Sequence, residues 1–276
     1  MPLRWQYRLA DLIAWIIANT RNQLSTQARQ NIRLCFADLN PDQQQRLYRD
    51  SIRHTCYTMT ELGTIWYRPI ERLMEMVTSI DICPEYHCAD QGRLVLAPHL
   101  GSWEMLAQWL GKTGNAIFLY KRRKNHALDR FIVDCRARTG GEPVSTRKGG
   151  LRQLLIGLRN NRTLMILPDQ RPRGKHAYAD SIFFGLDAPT TTLVNSLCSK
   201  LECRVFIATM YRSTPVGEFG LRITSLDREP LSGEQRQSVN YMNAAIEQLV
   251  RDYPGQYQWG YRRFRSSVYQ SLLPES

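Results

Sequence analysis

Lysine is scarce in this chain. Only six of its 37 basic residues are lysine, so arginine carries nearly all of a formal charge of +12. That excludes a surface of interchangeable ammonium groups, because guanidinium grips carboxylates and phosphates through two parallel hydrogen bonds. The excess suits an anionic partner: nucleic acid, an anionic membrane, or an acidic protein or substrate. Paired cysteines are also missing. The seven cysteines are odd in number and form no C-x-x-C, so a reduced compartment is expected rather than a disulfide framework. Cys83, His87 and Cys88 match no standard zinc spacing, and no metal is expected. There is no G-x-S-x-G elbow, no phosphate-cradling P-loop, no G-x-G-x-x-G after a strand and no H-E-x-x-H. Nothing recommends a covalent serine or cysteine nucleophile.

Long apolar runs are lacking too, and no cleavable leader is expected. The stretch from Leu9 to Ile17 carries Asp11 and falls short of the ~20 residues that span a bilayer. Leu9, Leu12, Ile13, Ile16 and Ile17 recur at helical spacing, with Arg4, Trp5, Arg8 and Trp15 nearby. That amphipathic helix either joins the core or rests on a membrane surface.

What is present alternates. The first ~80 residues read as helices, one from Leu3 into the Asn31–Phe36 region and one from Asn40-Pro41 toward Trp66. Strands are then predicted at Arg93–Ala97, Ala116–Tyr120, Thr163–Leu167, Val205–Tyr211 and Gly220–Thr224. Helices are predicted at Trp103–Lys112, His126–Arg138, Gly150–Asn160, Thr191–Leu201 and Glu234–Asp252. This order points to an α/β fold in which helices flank a partly parallel central sheet. No linker composition divides the chain, so one domain over residues 1–276 is expected, with a helical part at 1–80 and an α/β core at 93–265.

Two strand ends carry chemistry. The run Leu94-Val95-Leu96-Ala97 exits through Pro98 to His99-Leu100-Gly101-Ser102-Trp103-Glu104. Open α/β sheets place their sites at the C-terminal ends of strands. Ser102 can cap the helix that follows, and Glu104 falls in its first turn. Glu104 is expected to fold back onto one imidazole nitrogen of His99 and leave the other basic; the alternative is a half-buried histidine beside a capping glutamate. Pro168-Asp169-Gln170-Arg171 follows the strand ending at Leu167, on the same expected edge as His99. Asp169 is a second acid/base, an anchor for an arginine, or a turn former. Arg136, Arg138, Arg147 and Lys148 are each a site cation or a solvated charge. Tyr257, Trp259, Tyr261 and Phe264 interleave with arginines, a pattern that suits nucleic acid or lipid headgroups.

These residues resemble a known family. His99 to Glu104, as H-x-x-x-x-E, is similar to the motif of the bacterial late acyltransferases of lipid A biosynthesis, within the wider H-x-x-x-x-D/E glycerolipid acyltransferases. Further matches are Asn31-Ile32 with Phe36, Tyr120-Lys121-Arg122 with Asn125 and Leu128-Asp129, and Arg136. Asp169 falls in a P-D segment, Phe184-Gly185 with Ala188 and Thr190-Thr191-Thr192 in another, and Gln256-Tyr257 with Trp259 and Arg262-Arg263-Phe264 in the last. The chain departs at Gly255, where the family has an acid, and at Ser102, where asparagine is frequent. The resemblance implies an acyltransferase fold and transfer of a fatty acyl group from an acyl-carrier-protein thioester to a hydroxyl of a lipid A precursor, in lipopolysaccharide biosynthesis. It implies His99 as base assisted by Glu104, and Arg136, Asp169, Arg171 and Arg147 as substrate-binding residues. Backbone amides at the Gly101 turn, with Arg136, would hold the oxyanion. It implies no cofactor and no nucleic acid, and a peripheral or weakly anchored place on the cytoplasmic face of the inner membrane. The alternatives are another glycolipid or natural-product acceptor, or a non-catalytic lipid- or nucleic-acid-binding relative.

Overall fold

Apolar runs such as Leu94-Val95-Leu96-Ala97 and Thr163-Leu164-Met165-Ile166 have no polar face, which fits strands covered on both sides. The computed structural model bears this out. It describes residues 3–88, 90–120, 122–145, 149–172, 178–213, 217–270 and 272. Leu94 and Leu96 enter one apolar core, and Val95 and Ala97 enter a second on the opposite sheet face. The elements are α1 (Leu3–Asn19), α2 (Gln23–Cys35), α3 (Pro41–Tyr67), α4 (Ile70–Met74), β1 (Val77–Ile82), β2 (Arg93–Leu96), α5 (Trp103–Gly114), β3 (Ala116–Tyr120), α6 (His126–Ala137), β4 (Glu142–Ser145), α7 (Gly150–Arg159) and β5 (Thr163–Ile166). Short strands β6 (Tyr178–Ala179), β7 (Ile182–Phe183), β8 (Leu186–Asp187) and β9 (Thr190–Thr191) follow. The chain then forms α8 (Leu193–Cys198), β10 (Arg204–Arg212), β11 (Phe219–Leu226), α9 (Arg228–Ser232), α10 (Gln235–Asp252) and α11 (Ser266–Gln270).

The main sheet runs β1-β11-β10-β2-β5-β3-β4. Every neighbouring pair is parallel except β10 with β11. The mixed α/β class read from the sequence is therefore correct. Of the main sheet's strands the two not foreseen, β1 and β4, are its edges; the short strands β6 to β9 were not foreseen either. β1 is largely exposed and β4 contains Pro143, and both features blur a strand pattern. The helix expected to run from Leu3 past Asn31 is two helices. Asn22 breaks it: its Oδ1 accepts the Ser25 N–H at 2.8 Å and its amide donates to the Ile17 carbonyl at 2.9 Å. The threonines expected to open a helix at Thr191 lie partly in β9, and α8 starts only at Leu193.

The apolar stripe of α1 lies largely outside the core, although Ile17 packs partly against it. Tyr7, Ala10 and Ala14 face inward, while Trp5, Leu9, Leu12, Trp15 and Ile16 are each more than 40% exposed. Small residues let α1 lie close on α3 and leave its large apolar side chains outside.

One buried ionic network ties these helices to the sheet. Arg212, near the end of β10, donates two 2.7 Å bonds to Glu61 of α3, and both side chains are at most 2% exposed. The Tyr7 hydroxyl donates to Glu61. Arg212 Nη2 donates to Thr58 Oγ1 at 2.8 Å, and that hydroxyl lies 3.4 Å from the Gly101 carbonyl. His54 sits beside this network with Nδ1 unpartnered among the described residues. Burial first, then the charges of Arg212 and Arg53, pull its imidazole down to about 3. The folded state thus holds His54 neutral, whereas the unfolded chain protonates it near 6.5. Stability from this residue is complete above that value and is lost as pH falls toward 3, by at most ~1.4 kcal/mol per pH unit. Urea midpoints for wild type and His54→Gln, measured downward from pH 6.5, should therefore show a shallower acid slope in the variant. Parallel slopes would remove His54 from the acid response.

Candidate active site

The site starts from strand register. Leu96 of β2 pairs with Ile166 of β5, and the Ala97 N–H donates to the Ile166 carbonyl at 2.8 Å. Three residues beyond each partner stand His99 and Asp169, so parallel pairing delivers them side by side. His99 Nδ1 lies 2.8 Å from Asp169 Oδ1, and the His99 backbone N–H donates to Oδ2 at 3.0 Å. A carboxylate only accepts, so the ring proton belongs on Nδ1 and Nε2 carries a lone pair. Nε2 is 3.1 Å from the Gln170 side-chain nitrogen. The Gln258 N–H donates to the His99 carbonyl at 3.0 Å, and the Trp103 ring lies edge-on at 5.0 Å. The His99 side chain is 16% exposed and that of Asp169 3%.

Burial alone would raise the Asp169 carboxyl, but the His99 charge and its hydrogen bonds outweigh that and hold it below the usual carboxylate range. Behind it, Tyr257 is pushed well above the ordinary phenol value by burial and then by the Asp169 charge. The buried side of His99 therefore keeps one anion, placed where an imidazolium can form.

The turn after His99 needs glycine. Gly101 has φ +64, and a Cβ there would stand 2.2 Å from the Met210 carbonyl oxygen. The turn's amides are already used. Leu100 N–H donates to Pro98, Gly101 N–H to Gln256 at 3.0 Å and Ser102 N–H to Met210 at 2.7 Å. They do not form the oxyanion site expected at Gly101. Ser102 stands before α5 without a side-chain cap, and its buried hydroxyl has no partner among the described residues.

The expected contact of Glu104 with His99 is also corrected. Glu104, in the first turn of α5, is buried against α6, where Arg136 Nε donates to Oε2 at 3.1 Å and Nη2 bonds Oε1. The two helices pack on one another, so the guanidinium rather than the strand end meets the carboxylate. Burial disfavours the Arg136 charge, but Glu104 more than offsets this and holds the guanidinium's proton more firmly than usual. Among the described residues no arginine pairs with Asp169 either; its partner there is His99. The signal available in the sequence was the equal three-residue offset of His99 and Asp169 from two strand ends.

Arg171 is half-buried beside this cluster, and its carbonyl accepts the Tyr261 hydroxyl at 3.2 Å. Arg147, with Lys121, Lys148, Arg173 and Gly174, lies outside the described residues. Gln170 and Gln258 were not foreseen, nor was a cavity of about 590 Å3 past β3 and β4 whose walls include Tyr120, Arg122, His126, Arg130 and Gln153. Arg122 pairs there with Asp129 at 3.3 Å. The aromatic–arginine segment is structural rather than a binding face. Tyr257, Trp259, Arg263 and Phe264 are at most 5% exposed, and Arg263 donates to the Pro189 carbonyl at 2.7 Å. No group of three or more metal-binding side chains occurs among the described residues.

Comparison with known proteins adds the class. Residues 1–266 match the family described as bacterial lipid A biosynthesis acyltransferase. The chain is 24% identical to a lipid A biosynthesis palmitoleoyltransferase of Escherichia coli over 242 residues, 87% of this chain and 78% of that protein. It is 20% identical to the lauroyltransferase of the same organism over 275 residues, 96% of this chain and 87% of that one. Among solved structures it resembles a 1-acyl-sn-glycerophosphate acyltransferase of Thermotoga maritima. The TM-score is 0.43 at 14% identity, covering 92% of this chain and 99% of that chain.

Proposed function

This chain belongs to the bacterial lipid A biosynthesis acyltransferases, and on that premise we propose that it moves a fatty acyl group from an acyl-carrier-protein thioester to a hydroxyl of a lipid A precursor. The single observation that carries the mechanism is the 2.8 Å contact between His99 Nδ1 and Asp169. His99 Nε2 takes the hydroxyl proton while the oxygen attacks the thioester carbonyl carbon. The C–S bond then breaks, and the departing thiolate recovers a proton from the imidazolium. Asp169 stabilises that imidazolium and fixes its tautomer. Glu104 and Arg136 form a neutralised pair that braces α5 against α6.

The acceptor's anionic groups are assigned to Arg171 and to the cavity at Arg122, His126 and Arg130. No helix among the described residues is long and apolar enough to cross a membrane. The exposed Trp5, Leu9, Leu12, Trp15 and Ile16 of α1 suit peripheral docking on the cytoplasmic face of the inner membrane. Arginines beside them add ~1 kcal/mol per well-placed charge on anionic lipid.

The net +12 charge suits an acidic carrier protein as acyl donor. Lauroyl and palmitoleoyl donors of both kinds should be compared on a lipid A precursor, with the product identified by mass spectrometry. Carrier-bound donor should be preferred, and its initial rate should fall as salt shortens the Debye length from ~10 Å at 0.1 M to ~3 Å at 1 M. Equal use of both donors without salt dependence would refute carrier docking. Absence of acylated product with either donor would refute the reaction.

A further inference from the structure

The lone pair on His99 Nε2 is already occupied. With its proton on Nδ1 facing Asp169, Nε2 can only accept, and the Gln170 amide nitrogen stands 3.1 Å away as donor. The same amide donates its other hydrogen to Gln258 Oε1 at 3.3 Å. Gln258 in turn holds the His99 carbonyl through its backbone N–H. Both hydrogens of the Gln170 amide are thus spent, one on the base and one on a residue that fixes the base. Any hydroxyl that delivers a proton to Nε2 must first displace this amide.

We infer that Gln170 is a positioning residue that caps the base and separates transfer from hydrolysis; this rests on His99 acting as base in the reaction above. Water and the lipid hydroxyl present the same O–H group to Nε2. In hydrolysis, water would lose a proton to Nε2, its oxygen would attack the thioester carbon, and the C–S bond would break to give a free fatty acid and a thiol. The two nucleophiles differ in how they compete with the amide. The lipid hydroxyl is carried to Nε2 by binding of the rest of its molecule, whereas a water has only its own hydrogen bonds to offer. The cap therefore obstructs water throughout the time that an acyl donor waits without an acceptor. Gln170 is half-buried and directly follows the buried Asp169, so its own side chain can move while the Asp169–His99 bond stays in place.

The test uses purified full-length wild type, Gln170→Ala, Gln170→Asn and His99→Ala, with lauroyl- and palmitoleoyl-acyl-carrier protein as probes. Fatty-acid release is measured without acceptor, and transfer with a lipid A precursor. Removing one hydrogen bond of ordinary net strength should raise acceptor-independent hydrolysis roughly three- to tenfold in Gln170→Ala and lower the acceptor KM by a similar factor. Gln170→Asn keeps the amide on a shorter stem that cannot reach Nε2, and should behave the same way. A merely structural role would depress hydrolysis and transfer together. Hydrolysis that is unchanged or lower in both Gln170 variants overturns the cap. His99→Ala separates the two ideas: if it retains transfer, the base assignment itself falls, whereas an inactive His99→Ala beside unaltered hydrolysis in the Gln170 variants removes only the cap.

Discussion

His99→Ala is expected to lose ~10²–10⁴-fold in acyl-transfer rate, the usual worth of a positioned general base. It should keep its fold, since the imidazole is partly exposed and ends a strand rather than filling the core. The more discriminating pair is Asp169→Asn and Glu104→Gln. If the base is oriented by the residue that touches it, Asp169→Asn should share most of the His99→Ala loss. The amide no longer stabilises the imidazolium and can favour the wrong tautomer. Glu104→Gln should act differently, because its carboxylate meets Arg136 and not His99. It leaves a largely buried guanidinium without its counter-charge, so the expected loss is chiefly in stability. Rates measured at a temperature where every variant is folded decide the matter. A Glu104→Gln loss matching that of His99→Ala, with Asp169→Asn near wild type, would restore the His–Glu pairing implied by the H-x-x-x-x-E resemblance.

The largest effect on stability is expected at Arg212. Truncating one member of a buried ion pair typically costs ~3–5 kcal/mol, because the remaining charge is stranded in a low-dielectric interior. Arg212→Met strands Glu61 at 2% side-chain exposure, with Tyr7 its remaining donor among the described residues. Urea unfolding should show that loss in the single variant. Arg212→Met combined with Glu61→Leu should recover most of it, since two apolar side chains of similar volume need no counter-charge. A double variant as unstable as the single one would mean that packing, not charge, is what Arg212 supplies. Activity should fall with stability in the single variant. The network reaches the turn after His99 through Thr58, and the Arg212 N–H bonds the side chain of Gln256, whose carbonyl holds the Gly101 amide.

The α/β class, all five expected strands and the helices that follow them were legible in the sequence. Apolar runs bounded by Pro, Gly and Asn report burial on both sheet faces, and that signal is local. Arg93–Leu96 and Ala116–Tyr120 needed no partner to be recognised. Edge strands were not legible: Val77–Ile82 and Glu142–Ser145 face water or carry proline, so their pairing comes from neighbours rather than from their own pattern. The orientation of α1 was equally hidden, because its apolar stripe looks the same whether it meets protein or solvent. Only packing on α3 shows that Tyr7, Ala10 and Ala14 are the inward face.

At the site the division is sharper. The sequence by itself determined that a histidine and an aspartate leave two strand ends, and that a glutamate opens the helix after the first. It did not determine which carboxylate meets the imidazole. Proximity in sequence favoured Glu104, five residues from His99. Parallel register between β2 and β5 brings Asp169, seventy residues away, to 2.8 Å. The α5–α6 contact meanwhile takes Glu104 to Arg136. A helix that begins right after a strand carries its first-turn side chains toward whatever packs on that helix, whereas adjacent parallel strands carry their exits to one edge. That geometry belongs to the sheet and to no single segment, and so the partner of His99 was decided by tertiary structure alone.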